Sequence, residues 1–373
     1  MHERSLTRDS WVGTSTFMYE ALKKRNNNVE LRKIRVVKAP LITFLNKLMI
    51  KISGLKYNLS HSFYASGYYR RKLTKLLKEN DYDAIIAPAM STAISSLPHT
   101  IPLVYVSDAT VRLMYNYYEW FSGFTFFSYR ESIAVEKKAL GNADLCVFSS
   151  EWAARSAIQD YGADPSRVHV IPFGANLREE EILPFEKVIH RDKGEKCRLL
   201  FLGMEWERKG GQIVLDAYLH LRKEGFPCDL TILGCDPPEA RRIEGVEIIS
   251  FINKNTPEGK KQWDELMLTR HFLLLPTQAE CFGVVFCEAS AYGMPSLGPD
   301  TGGVSNALVG GKTGFLLPEG SSGRDYAEIV KEVYTHYEAE YLPLSKSSRE
   351  TYDKLLNWDH WAQSVLNLIK PYS

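Results

Sequence analysis

A chain of 373 residues exceeds what one hydrophobic core usually fills, so two domains of ordinary size are expected. Hydrophobic residues make up 45% and charged residues 24%, and the formal charge of +1 argues against a nucleic-acid protein that relies on a strong global field, leaving specific basic patches open. The first 16 residues are too polar for a signal peptide, and no apolar run approaches the ~20 residues that span a bilayer, so a soluble cytoplasmic protein is expected.

From the N-terminus, Gly13 and Thr14 open a helix running to Leu22, and Val29 to Val37 reads as a strand. Lys38 to Leu59 is mixed basic and apolar, with Leu41, Phe44, Leu45, Leu48, Met49 and Ile52 near helical spacing and Lys47, Lys51 and Lys56 beside them. Peripheral contact with the inner face of a membrane is one reading; a helix packed on its own domain with its lysines in solvent is favoured for short amphipathic segments. A Lys- and Arg-rich helix over 68–79, buried strands at 84–87 and 103–107, a helix over 132–140 and a strand at 145–148 follow. Ser150 caps a helix to Tyr161, and the strand 168–172 ends in Gly174-Ala-Asn176. Alternating strands and helices imply a doubly wound α/β sheet.

The charged stretch 179–196 reads as an interdomain linker between an N-terminal domain, 1–178, and a second α/β series over 197–355. That series has strands at 198–203, 228–233 and 246–251, helices at 211–223 and 263–269, and a buried strand at 272–275 halted by Pro276. A helix starts near Gly283 and closes at Gly293; a short helix at 304–309, a strand at 314–317 and helices over 324–339 and 346–356 complete the set. The last helix, 358–369, is amphipathic. The six cysteines lie mostly in apolar runs without zinc spacing, which fits reduced buried thiols; Cys228 and Cys235 have no partner at a suitable distance for a metal.

Three glycine-containing turns at strand exits of the second half concentrate the chemistry. In Gly203-Met-Glu-Trp-Glu-Arg208-Lys209-Gly210-Gly211, two adjacent cations precede a helix N-terminus, an arrangement a diphosphate would satisfy and one that a solvated turn also explains. In the second turn, Glu280 and Glu288 bracket the helix that starts near Gly283, and their carboxylates suit hydroxyl groups. Asp300-Thr301-Gly302-Gly303 offers bare backbone at a third exit.

Glu280-x7-Glu288 followed by Ala-Tyr-Gly-Met-Pro, Gly302-Gly303 and Gly314-Phe-Leu-Leu-Pro318 resembles, in this order, the donor domain of retaining glycosyltransferases of GT-B fold, the group 1 or family 4 class. Ser107-Asp-Ala-Thr110, Ser150-Glu-Trp152 and Ile171-Pro-Phe-Gly174-Ala-Asn176 extend the resemblance over nearly the whole chain. It implies two Rossmann-like domains facing across a cleft, with the last helix crossing back to the first. It also implies retaining transfer of a sugar from a nucleoside diphosphate sugar, UDP- or GDP-linked, to a glycan, lipid-linked or small-molecule acceptor, without a metal or other cofactor. Arg208 and Lys209 would hold the diphosphate and stabilise the leaving group. Glu288 would accept from ribose hydroxyls, Glu280 would bind the transferred sugar, the amides of Phe282, Gly283 and Val284 would cap the phosphates, and Asn253 and Lys254 would meet the base. Gly13 and Thr14 would belong to the N-terminal glycine loop that helps to hold the donor.

Three departures stand out. Many relatives carry an arginine directly after the strand glycine, where this chain has Met204, so Arg208 must substitute. Where many carry a histidine near the scissile bond this chain has Asp108, which could bind hydroxyls, stabilise an oxocarbenium-like state or cap a helix. Relatives begin with a buried strand before the glycine loop, whereas residues 1–10 are polar, so the start is expected to be truncated or misassigned, with an upstream in-frame stretch supplying the strand. A non-catalytic sugar-nucleotide-binding protein and, less favoured, a sugar-nucleotide epimerase are the alternatives. The aromatic run from Tyr115 to Phe121 would line an acceptor site or, as favoured, pack in the core or at a domain edge.

Overall fold

The computed structural model describes residues 13–372; the polar start, with Trp11 and Val12 of the glycine loop, lies outside the described residues. The chain divides into two compact units, Met1–Pro172 with Trp361–Ser373, and Phe173–His360.

The first unit carries a parallel sheet in the order β1 (Ile85–Pro88), β2 (Leu103–Ser107), β3 (Leu145–Phe148), β4 (Val168–Val170). Its helices are α1 (Thr14–Arg25), α2 (Pro40–Ser53), α3 (Phe63–Glu79), α4 (Ser91–Ile94), α5 (Val111–Met114), α6 (Phe126–Asn142) and α7 (Glu151–Tyr161). β2 and β3 are buried along their whole length, as expected of central parallel strands covered on both faces. Leu103, Tyr105, Leu140, Phe148, Ala153 and Tyr161 form the core between sheet and helices. Ser150 caps α7 by accepting the Ala153 N–H, as the sequence predicts. α6 starts six residues earlier than its apolar spacing suggests, because Thr125 caps it through the Ser128 N–H.

Two expectations are corrected here. Val29 to Val37 enters neither sheet. Its alternation has no neighbouring strand to pair with among the described residues, and Val37 instead packs beside Ala65, Tyr69 and Ala93. The segment 38–59 does form a helix over 40–53, but it does not pack its apolar face on the domain: α2 buries none of its residues, and Leu41, Phe44, Leu45, Leu48 and Ile52 are all exposed. Of the aromatic run, Tyr118 and Phe121 are buried as favoured, while Trp120 is exposed.

The second unit has a six-stranded parallel sheet, β5 (Cys197–Leu202), β6 (Cys228–Leu233), β7 (Val246–Ile249), β8 (Phe272–Leu274), β9 (Ser296–Pro299) and β10 (Gly314–Leu317), in the order β10-β9-β8-β5-β6-β7. Its helices are α8 (Phe185–Ile189), α9 (Gly211–Lys223), α10 (Pro257–Thr269), α11 (Val284–Ala291), α12 (Val304–Ala307), α13 (Gly323–Thr335), α14 (Leu342–Lys354) and the start of α15 (Trp358–Ile369). The chain runs outward from β5 through β6 to β7, returns to the other side of β5 as β8, and runs outward again to β10. The winding therefore reverses between β5 and β8, which opens a crevice at their carboxyl ends. Residues 179–196 belong to this unit: Arg191 is buried and donates to the carbonyls of Met267, Arg270 and Tyr292. All six cysteines are free thiols, and five are buried.

Candidate functional site

The loops leaving β5 and β8 are bound to each other at the reversal point. Gly210 has φ 72°, and a Cβ on it would lie 2.0 Å from the Pro276 carbonyl oxygen, so the turn that delivers Lys209 to α9 requires glycine there. The Arg208 carbonyl accepts the Gln278 N–H at 2.7 Å. Arg208 itself clamps the two loops, its Nε and Nη2 donating to the Glu205 carboxylate at 2.7 and 2.9 Å and its Nη1 to the Ala279 carbonyl at 2.7 Å. That fork holds the Glu205 carboxyl below its ordinary range. Beside the clamp, Lys209 Nζ forms an ion pair with Glu280, and both side chains are largely buried.

The third loop joins through the Gly303 N–H, which donates to the Glu280 carbonyl at 3.2 Å. Gly283, at φ 89°, turns the chain into α11, whose first amides have no partner within the helix. The Phe282 side chain is buried against Phe173, so what this residue can offer a ligand is its backbone. One turn into α11, Glu288 is nearly buried and accepts from Lys254 Nζ at 3.2 Å. Lys254 in turn lies 4.1 Å over the Trp263 ring of α10, which holds the ammonium by cation–π attraction. Asn253 next to it makes a turn, accepting the Asn255 N–H on its side chain, while its carbonyl accepts the Thr256 N–H.

The structure therefore brings together Arg208, Lys209, Glu280, Phe282, Gly283, Val284, Glu288, Asn253 and Lys254 on loops and helix starts along the carboxyl edge of one sheet. The remaining three lie in the first unit. Gly13 is the left-handed residue before α1, and Thr14, its first residue, is buried. Asp108 follows β2, and the cap of the next helix, α5, is Thr110, whose hydroxyl accepts the Leu113 N–H. Sequence reasoning missed Glu205 and Trp263. Glu205 lies three residues before Arg208, a spacing that signals pairing; Trp263 gives no sequence signal of its place beneath Lys254.

Residues 196–336 match the model for glycosyl transferases group 1, and residues 18–179 match the model for glycosyltransferase family 4. The chain belongs to the family 4 (group 1) glycosyltransferases. Like them, this family 4 member has the GT-B set of two Rossmann-like parallel-sheet domains. Sucrose-phosphate synthase from Thermosynechococcus elongatus matches it at TM-score 0.65 and 17% identity, over 98% of this chain and 93% of that one. HepE from Anabaena, in complex with UDP, matches at TM-score 0.59 and 17% identity, over 81% of both chains. In sequence, the D-inositol 3-phosphate glycosyltransferase of Gordonia bronchialis is 25% identical over 247 residues, covering 62% of this family 4 chain and 53% of the relative. The chain thus spans about half the length of the curated relatives it matches.

Proposed function

We propose that the chain transfers a hexosyl or related sugar, with retention of anomeric configuration, from a UDP- or GDP-sugar to a hydroxyl of a glycan or lipid-linked acceptor in the cytoplasm. The observation that carries this reading is the placement of Lys209 and the amino end of α11 at the winding reversal of a parallel sheet, with two carboxylates beside them. A diphosphate there would draw Lys209 away from Glu280 and receive the helix-start amides of Phe282 to Val284, while Arg208 adds charge and holds both loops in place. Glu288 and Lys254 would receive the ribose and base, with Asn253 shaping that turn. Glu280, no longer paired with Lys209, would accept from the sugar's hydroxyls. HepE binds UDP on a related fold, which supports a uridine nucleotide.

In the reaction, the bond between the anomeric carbon and the diphosphate oxygen breaks as the acceptor oxygen forms its bond on the same face. The acceptor proton passes to the departing diphosphate. Lys209 and Arg208 stabilise the charge on that leaving group, the role a divalent cation would otherwise fill. Asp108 would bind a hydroxyl of acceptor or donor, and Gly13 with Thr14 would contribute the N-terminal glycine turn.

A thermal-shift series with UDP-, GDP- and ADP-sugars tests the reading, because a ligand that binds the folded state raises its melting temperature. One nucleotide class is expected to raise it. Lys209→Ala and Glu288→Ala should each lose that shift and lower transfer by about a hundredfold or more. Unchanged shifts and rates in both variants would overturn the site, and a shift with no sugar released in any assay would indicate a non-catalytic binder.

A further inference from the structure

α2 is built inside out. Leu41, Phe44, Leu45, Leu48 and Ile52, with Leu55 just beyond the helix, recur at spacings of three, four and seven residues, and so form one stripe. In a helix of a globular domain such a stripe faces the core. Here it faces solvent: Phe44 is 65% exposed and Ile52 76%. The opposite side is tied down by a polar contact, Asn46 donating to the Tyr57 carbonyl at 3.0 Å and accepting the Tyr57 N–H at 2.7 Å. The outward face is therefore the anchored arrangement.

A second apolar group adjoins the end of this helix. The Lys56 N–H donates to the Gly123 carbonyl at 2.8 Å and the Thr125 N–H to the Lys56 carbonyl at 3.0 Å, fixing the residues after α2 to the segment that carries Trp120 and leads into Phe126 and Phe127 at the start of α6. Phe127 is 82% exposed and Trp120 64%. Lys56 reaches across this junction, its Nζ donating to the Trp120 carbonyl at 2.8 Å.

The segment that carries α2 is charged with one sign, with Glu119 beside Trp120 and Glu131 bonded to Tyr57 and Phe63 as acidic neighbours. Residues 31–78 contain twelve Lys and Arg and no Asp or Glu, in a chain whose totals, 46 and 45, nearly cancel. Lys47 and Lys51 lie one turn apart along the edge of the stripe and are exposed. On α3, Arg70, Arg71, Lys75 and Lys78 line an open groove with a single carboxylate, Glu79, which pairs with Lys75.

We propose that this face of the first unit docks on the surface of an anionic lipid bilayer, with α2 lying in the plane of the interface. At 14 residues the helix is about 21 Å long, too short to span the hydrocarbon, and no described helix is long and apolar enough to cross a membrane. Phe and Leu side chains enter the acyl boundary, Lys47 and Lys51 reach back to lipid phosphates, and Trp120 sits at headgroup level. A second copy of the chain is the poorer occupant, because two α2 helices packed together would bring Lys47 and Lys51 of each copy together with no acidic residue on either helix. The inference does not rest on the transfer reaction.

Vesicle flotation with the full chain tests it, using phosphatidylcholine alone and phosphatidylcholine with 30% phosphatidylglycerol. Binding to the anionic vesicles is expected to exceed binding to the neutral ones at least tenfold and to weaken in 0.5 M salt. Phe44→Glu with Leu48→Glu, and separately Phe126→Glu with Phe127→Glu, should each reduce it at least tenfold; circular dichroism of these exposed-site variants confirms folding. Equal flotation with both vesicle types, flotation unchanged in folded variants, or no flotation at all overturns the proposal. So does a lipid-free dimer, seen by light scattering, that the Phe44 and Leu48 changes dissolve.

Discussion

Glu136 on α6 is almost wholly buried, and its carboxylate accepts the Val111 N–H at 2.6 Å, just past the turn that carries Asp108. Tyr105 approaches it at 3.4 Å, and Tyr161 also bonds to it. Burial pushes its pKa from an ordinary 4.5 up to about 7, the hydrogen bonds opposing that rise. An acid whose pKa is raised by folding is protonated more readily in the folded state than in the unfolded. Its contribution to stability is full below about pH 4.5 and is lost as pH rises toward 7, at up to about 1.4 kcal/mol per pH unit. Glu136→Gln keeps the neutral form at every pH, so urea unfolding at pH 5 and pH 7.5 should show a smaller loss of stability on going up than in the parent chain. Equal losses would show that the carboxyl titrates normally. His61, lowered to about 4 by its burial, contributes with the opposite sign in the same unit, so the comparison between variant and parent is the informative quantity.

Among the elements, the β5 to α9 turn is the most constrained. Gly210→Ala would place a methyl carbon 2.0 Å from a carbonyl oxygen in a backbone region that side chains disfavour, and separating the two loops is the least costly relief. A loss of about 2–4 kcal/mol in denaturant unfolding is expected, together with weaker nucleotide-induced stabilisation; a change below about 0.5 kcal/mol would mean that the loops are not locked. The strands of this unit were readable because buried parallel strands are continuous apolar runs, as in Leu199 to Phe201 and Phe272 to Leu274. α2 also showed its period, but periodicity is blind to which side of a stripe meets the protein, and so the packing was read inverted. The alternation in Val29 to Val37 was likewise genuine, yet a strand exists only with a neighbour, and neighbours are not local information. The helix expected over 324–339 breaks at Thr335 into a wider turn over Tyr337–Tyr341, where the Tyr337 hydroxyl donates to the Arg191 carbonyl and the Tyr341 hydroxyl to the His271 carbonyl. Those bonds span 146 and 70 residues, a distance no propensity encodes.

For the whole chain, the residues after His360 group with the first unit although they are the last in sequence. Trp361, Val365 and Ile369 are buried. Ending the chain at His360 removes all three, and at about 1.5–3 kcal/mol for each buried side chain this should cost on the order of 5 kcal/mol, read as a lower thermal transition. A transition within about two degrees of the parent's would show that these residues stabilise nothing. The candidate site was legible at the same scale because its residues cluster at turns whose composition is visible: Arg208-Lys209 before a glycine pair, and Glu280 with Glu288 around a helix start. What pairs with what was not legible. Lys209 finds Glu280 across 71 residues and Lys254 finds Glu288 across 34, contacts set by the order of strands in the sheet.

The Lys209–Glu280 pair makes the resting site an interlock. Each group is the other's counter-ion, so neither attracts a ligand at a distance as a lone charge would, and an anion must compete with a carboxylate already in place. Under the proposed function, a diphosphate that draws Lys209 away would turn Glu280 toward a nearby hydroxyl. On that reading a sugar without a phosphate would meet a latched carboxylate, and one arriving with its phosphates would open the latch itself, ordering recognition so that the charged half of a ligand is tested before the neutral half.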